Sequence, residues 1–246
     1  MSGNTRSDDP PHAFDAAASG IEWPRLAPEV LVVEVGRRGF TNFNYIVFDR
    51  ISRDAVIVDP AWELDRLVAM IDQHRLRLRA VLITHSHPDH LNLAEPIAEH
   101  FDCSIWMSPQ EVAWARFQSD RLRCIAEARW RIGTLEVEAL LTPGHTPGCV
   151  CYRIVDNLFS GDVLFAEGCG LCMSNNAAQQ MFDSLELLKQ QLAGNSRIYP
   201  GHSYGKPPGQ LFANVLRDNI YLQFKDPDSF VRFRMRSGQG WMKAFR

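Results

Sequence analysis

The heptapeptide Thr84-His85-Ser86-His87-Pro88-Asp89-His90 crowds four potential metal ligands into six positions. It follows the compact apolar run at 80–83 and precedes apolar residues at helical spacing from Leu91. In extended chain His85 and His87 leave the backbone on the same side, whereas Asp89 and His90 lie past the proline bend and project from a helix start. Imidazole with a little carboxylate suits zinc or another first-row divalent ion, and one ion rarely accepts all four groups. The divergence of the two halves fits two neighbouring ions about 3.5–4 Å apart, each still short of ligands.

Working outward, three later segments offer what is missing. Pro143-Gly144-His145 puts a histidine in a turn after an apolar run, Ser160-Gly161-Asp162 ends the next run with a carboxylate, and Pro200-Gly201-His202 ends another. Alone, His145 or His202 would read as a surface histidine; the joint occurrence after successive runs is what points to a site. His12, His74 and His100 match none of these patterns. The apolar runs at 30–35, 43–48 and 55–58 read as adjacent strands. A helix over 62–74, a strand at 80–83, helices over 91–100 and 109–117 and a short strand at 104–106 complete a first half. Strands at 135–141, 150–154, 158–160 and 198–199, with helices over 178–192 and 210–222, form a second. Strands followed by helices twice over predict an α/β (α+β) fold of two sheets packed face to face and covered by helices, a four-layer αββα sandwich. Residues 1–28, polar and proline-containing, read as a disordered tail, and 29–246 as one domain ending in a short basic extension at 206–246.

The 246 residues carry a net charge of -3, which leaves no global positive field for nucleic acid. No basic-then-apolar leader opens the chain and no stretch of about 18 apolar residues occurs, so a cytoplasmic protein with no membrane partner is expected. Six cysteines in a chain of this length read as reduced thiols. Cys169 and Cys172 form a lone CxxC that reads as buried small residues around a turn. From Ser203 onward eight Lys or Arg face three Asp, an asymmetry that would suit an acidic partner, although a solvated face with Phe233 and Met235 turned inward remains open.

The motif series HSHPDH at 85–90, PGH at 143–145, SGD at 160–162 and PGH at 200–202 resembles the metallo-β-lactamase superfamily. The resemblance spans about 30–205 and implies that His85, His87 and His145 hold one metal, that Asp89, His90 and His202 hold the other, and that Asp162 bridges them. Asp59, in Val58-Asp59-Pro60, matches an aspartate that orients a ligand without being one. Asp162 and the segment Gly168-Cys169-Gly170 resemble the glyoxalase II branch, whose members hydrolyse thioesters. The stretch 199–210, with 219–222 and 233–236, resembles the zinc-dependent hydrolases of bacterial polyketide biosynthesis. These likenesses imply two divalent ions, zinc with iron or manganese as alternatives, and an acyl thioester on a small molecule, pantetheine or an acyl carrier protein. The implied attack is by a hydroxide bridging the metals, held in place by Asp89 and Asp162, with Tyr204 as a candidate hydrogen-bond donor to the oxyanion or substrate. Leu171 stands where glyoxalase II has a basic residue, and 44 residues follow His202 where that branch has a longer glutathione-binding domain, which argues against glutathione as the thiol. A lactone hydrolase, a single-iron persulfide dioxygenase and a non-catalytic metal-stabilised binding protein are the competing readings.

Overall fold

The computed structural model describes residues 27–37 and 40–237, so the expected tail lies almost wholly outside the described residues, as do Lys243 and Arg246 of the basic extension. The first sheet has the order β1 (Glu29–Arg37), β2 (Phe40–Phe48), β3 (Asp54–Val58), β4 (Arg77–Leu82), β5 (Ser104–Met107) and β6 (Leu122–Cys124). β1 to β3 are antiparallel, and β3 to β6 are parallel neighbours. The second sheet runs β12 (Gln210–Leu211), β11 (Arg197–Pro200), β10 (Asn157–Gly161), β9 (Val150–Ile154), β8 (Leu135–Leu141), β7 (Arg129–Ile132).

β3 shows why the apolar runs are continuous. Ala55 and Ile57 face an outer layer made by α1 (Leu64–Gln73) and α3 (Ala94–His100), while Val56 and Val58 face the other sheet. Burial on both faces removes the alternation that a half-exposed strand would show. Between the sheets Tyr45, Phe159 and Tyr199 pack with ring centroids 5.2–5.4 Å apart. On the far side Ala178, Met181, Leu185 and Leu188 line one face of α5 (Asn175–Gln191) and cover the second sheet with α6 (Phe212–Asp218) and α7 (Pro227–Arg234). The result is the four-layer αββα sandwich.

Three local readings change. The helix expected over 210–222 is broken into β12, α6 and a 3-10 turn at Ile220–Gln223, because Gln210 and Leu211 pair with β11. The helix after the 84–87 segment starts earlier than expected, as α2 (Pro88–Leu91), with Pro88 at its first position, where a missing N–H costs nothing. Phe233 and Met235 do not alternate in a strand: Phe233 belongs to α7, which packs on α5 through Phe230 and Phe182, 5.5 Å apart. Helical geometry turns Arg234 inward, to 4% exposure. Lys206 and Arg217 both pair with Asp218, so the basic extension offers less free charge than its composition suggests. Among the described residues no helix is long and apolar enough to cross a membrane.

Candidate metal centre

Five strands deliver the site residues from their C-terminal ends. β3 leads into Asp59, β4 into the 84–90 loop, β8 into the 142–149 loop, β10 into Asp162 and β11 into His202. Bonds between the sheets hold these ends together: Val150 N–H donates to Thr84 O at 2.9 Å, and Tyr45 Oη to Pro200 O at 2.5 Å. A register shift between Phe159 and Gly161 re-aims the end of β10, as a bulge does, and brings Asp162 into the gap. Gly201 is needed for close approach, since a Cβ there would lie 2.5 Å from His90 Cε1 and 2.6 Å from Asp162 Oδ1.

His85, His87 and His145 form one trio. His87 Nδ1 lies 3.1 Å from His85 Nε2 and 3.0 Å from His145 Nε2. His145 Nδ1 faces the carbonyl of Leu171 at 2.9 Å; a carbonyl only accepts, so Nδ1 carries the proton and Nε2 presents a lone pair. Thr84 Oγ1 donates to Asp59 Oδ2 at 2.6 Å and, 3.1 Å from His85 Nδ1, is left to accept from it, which leaves His85 Nε2 bare as well. Ring nitrogens aimed at one another this closely cannot all satisfy each other, and they fit a shared cation.

Asp89, His90 and His202 form the second trio. His202 Nδ1 donates to Thr41 O at 2.9 Å, and its Nε2 lies 3.2 Å from Asp89 Oδ2. His90 Nδ1 is held by Asp59 Oδ2 at 2.9 Å, while its buried Nε2 has no hydrogen-bond partner and faces Asp162 Oδ1, itself without one, at 3.4 Å. Orphaned atoms of this kind, on groups that ligate divalent ions, fit a metal between them. Asp162 spans the trios: Oδ1 lies near His90 and His202, and Oδ2 lies 3.5 Å from His145 Nε2. Asp59 sits behind the two trios, with both oxygens engaged by Thr84 and His90 and its backbone at φ +50°.

The two trios differ electrostatically. Burial holds His85 well below its ordinary pKa, with the charges of His90, His145 and His87 acting in the same direction. His87 falls to about 4 through burial and His145. Burial would also lower His90, but Asp162, Asp59 and Asp89 outweigh it and raise the group to about 9. His202 is raised in the same way by Asp162 and Asp89. Burial works against ionisation of Asp89 and Asp162, yet the imidazoles of His202 and His90 keep both below the ordinary carboxylate range.

Tyr204 stands on the rim, 56% exposed, its ring edge-on to Phe165 at 5.2 Å. Burial and the charge of Asp162 push its hydroxyl up to about 12. Cys169 and Cys172 are free thiols raised by burial, Cys172 to about 11, so neither is a thiolate at neutral pH.

Several groups at the site carry no motif. Trp114, 50% exposed, has its ring centroid 6.3 Å from that of His87. Arg234 Nε donates to Gly170 O at 2.8 Å, beside the Leu171 carbonyl that orients His145, and its guanidinium lies over the Tyr221 ring. Glu111, on α4 (Pro109–Ala115), is 1% exposed and bonds to both the 84–90 and 142–149 loops.

The fold and this donor set are those of a metal-dependent hydrolase. Comparison with known proteins agrees, and the chain belongs to the metallo-beta-lactamase superfamily, whose family model matches residues 37–123 and 125–202. It is 38% identical over 223 residues to the probable polyketide biosynthesis zinc-dependent hydrolase PksB of Bacillus subtilis, covering 90% of this chain and 99% of that protein. A hydroxyacylglutathione hydrolase of Methylobacillus flagellatus is 34% identical over 163 residues, covering 65% of this chain and 62% of its own. Among solved structures, ETHE1 of Myxococcus xanthus superposes with a TM-score of 0.75 at 26% identity, covering 87% of this chain and 94% of the other.

Proposed function

We propose that this chain is a binuclear thioesterase of polyketide biosynthesis, hydrolysing an acyl thioester carried on pantetheine or on an acyl carrier protein. The observation that carries the reading is Asp162, whose two oxygens face the two ligand trios from between them. Two zinc ions, one on His85, His87 and His145 and one on Asp89, His90 and His202, fit that arrangement. Relatives named as a polyketide zinc-dependent hydrolase and as a hydrolase of hydroxyacylglutathione, itself a thioester, support the substrate class.

Bound divalent ions supply Lewis acidity and lower the pKa of a coordinated water from 15.7 to about 7. The protein's own part is orientation. Leu171 O, Thr41 O, Asp59 and Thr84 fix the tautomers of His145, His202, His90 and His85, so that Nε2 of each points into the gap. Asp89 and Asp162 place negative charge beside the site of attack and accept hydrogen bonds from a nucleophilic water. A thiolate leaves without needing a proton, so this scheme asks for no general acid at the centre. Ser86 is no nucleophile in this scheme, because its hydroxyl is given to Glu111 at 2.7 Å. On the basic segment Arg232 and Arg236 remain on the surface of the α7 end for an acidic carrier, whereas Arg234 is buried.

The test is metal quantification of purified protein beside hydrolysis of acyl-pantetheine, acyl-glutathione and acyl-carrier thioesters and of a lactone. Two zinc ions per chain, with kcat/KM for pantetheine or carrier thioesters well above that for glutathione, is the expected result. One iron per chain with oxygen consumption, or turnover confined to the lactone, overturns it. Reversing Arg232 and Arg236 to Glu raises KM for the carrier substrate alone; equal loss on free acyl-pantetheine refutes carrier docking.

A further inference from the structure

The first ligand trio has a buried organiser of its own. Glu111 Oε1 accepts Ser86 N–H at 2.8 Å and Ser86 Oγ–H at 2.7 Å. Oε2 accepts Thr146 Oγ1–H at 2.7 Å and Gly148 N–H at 3.0 Å. Ser86 lies between His85 and His87, and Thr146 follows His145, so every member of that trio is one residue from a bond to this carboxylate. No contact of Glu111 reaches Asp89, His90 or His202.

Helix α4 is built against the loop for this purpose. Ser108 Oγ accepts Glu111 N–H at 3.0 Å and donates to Gly148 O at 2.6 Å. A Cβ at Gly148 would lie 2.1 Å from Glu111 N, so only glycine lets the helix start rest directly on the loop. The carboxylate therefore spans a fixed distance between a loop from the first sheet and a loop from the second. The second trio has a different brace, Asp59, which holds His90 and Thr84.

We infer that Glu111 is a positioning residue that sets the spacing of His85, His87 and His145, and through it the affinity and geometry of the first metal. This rests on the two-centre reading above. Each oxygen of Glu111 receives one backbone N–H that cannot be turned away. A glutamine must set its NH2 against either Ser86 N–H or Gly148 N–H, which puts a donor against a donor inside the fold. Loss of a partner bonded directly to a ligand costs 10–100-fold in metal affinity, and that range is the expectation for Glu111, which holds the residues next to the three histidines.

The experiment titrates metal-stripped protein with zinc against a chromophoric chelator, with the histidine side-chain nitrogens observed by NMR to assign each binding event. Wild type shows two events, one moving His85 and His145 and one moving His90 and His202. In E111Q the first weakens by 10–100-fold while the second stays within about threefold. D59N, whose carboxylate holds His90 directly and His85 only through Thr84, weakens the second event more than the first. T146V and S86A each remove one hydroxyl and keep both backbone donors; each weakens the first event by a smaller factor, and they carry the test if E111Q does not fold. Equal weakening of both events in E111Q, or none in the first, overturns the inference. A wild type with a single event refutes the two-centre reading instead, and Glu111 is then judged on whether E111Q and T146V weaken the His85 and His145 response.

Discussion

Stripping the metal should expose the electrostatic difference between the trios. His90 is raised to about 9 and His87 lowered to about 4. At pH 7.5 the first is then about 97% protonated and the second almost wholly neutral. An ion entering the second trio must displace the His90 proton, which weakens its binding at pH 7.5 by about 1.5 log units, about 2 kcal/mol, relative to pH above 9. An ion entering the first trio displaces none from His85 or His87. The signs for stability are opposite too. The raised His90 adds stability to the metal-free fold that is complete below pH 6.5 and lost as pH rises through 9. The lowered His87 removes stability as pH falls from 6.5 through 4. The assay is a nitrogen NMR titration of the metal-free imidazoles from pH 4 to 10, with zinc affinities at several pH values. Affinity of the second trio should climb at least tenfold per pH unit up to about 9, since His202 is raised as well as His90, and that of the first should rise less steeply over the same range. Similar titration of His87 and His90 near 6.5 would refute the assignment of opposite environments.

Replacing Arg234 by Met removes its bond to Gly170 O and should destabilise the fold by about 2 kcal/mol in urea unfolding, with zinc affinity at the His145 trio falling as well. An unchanged midpoint would show that α7 does not brace the loop. Trp114 flanks His87 while half exposed, so Trp114→Ala should change stability by no more than about 0.5 kcal/mol yet raise KM several-fold for long apolar acyl groups and not for acetyl. Equal KM effects on both would remove it from acyl recognition. With its hydroxyl at about 12, Tyr204 should add no alkaline limb to the kcat profile below about pH 10, and Tyr204→Phe should lower kcat without changing the profile's shape. Unaltered kcat would leave Tyr204 a packing residue against Phe165.

The layered fold was legible because its strands are buried on both faces and end in chemically conspicuous residues. Val56, Val58, Ala80 and Leu82 make uninterrupted apolar runs, and Asp59 and the 84–90 loop begin where those runs stop. The gathering of His85, His87, His145, His202 and the aspartates was legible for the same reason, since parallel strands deliver their ends to one rim. β6, β7 and β12 were not, being two to four residues long and defined by pairing rather than by pattern. Arg234 was misread because an alternating Phe-Arg-Met reads as a strand until the helical register of α7 is known. Glu111 was hidden more deeply. Ser108-Pro-Gln-Glu111 matches a capping box, a local pattern that accounts for the glutamate entirely. Ser108 does cap the helix, but the glutamate's side chain leaves it and serves two loops that only the tertiary fold brings near.

The contrast between these buried carboxylates bears on how the centre is assembled. Each trio draws on both sheets: His85 and His87 with His145 across the seam, Asp89 and His90 with His202 across it. Metal alone would have to close loops of dozens of residues, at an entropic cost that rises with the logarithm of loop length. Val150 N–H to Thr84 O, Phe43 N–H to Gly201 O and the Glu111 bonds close those loops in the protein itself. At the metal-free second trio an imidazolium at His90 offsets part of the charge of Asp59, Asp89 and Asp162. The first trio has no carboxylate of its own, the nearest being Asp162 Oδ2 at 3.5 Å from His145 Nε2, and its ring nitrogens face one another. Its geometry must therefore be imposed from outside the ligands, and that is the position Glu111 occupies.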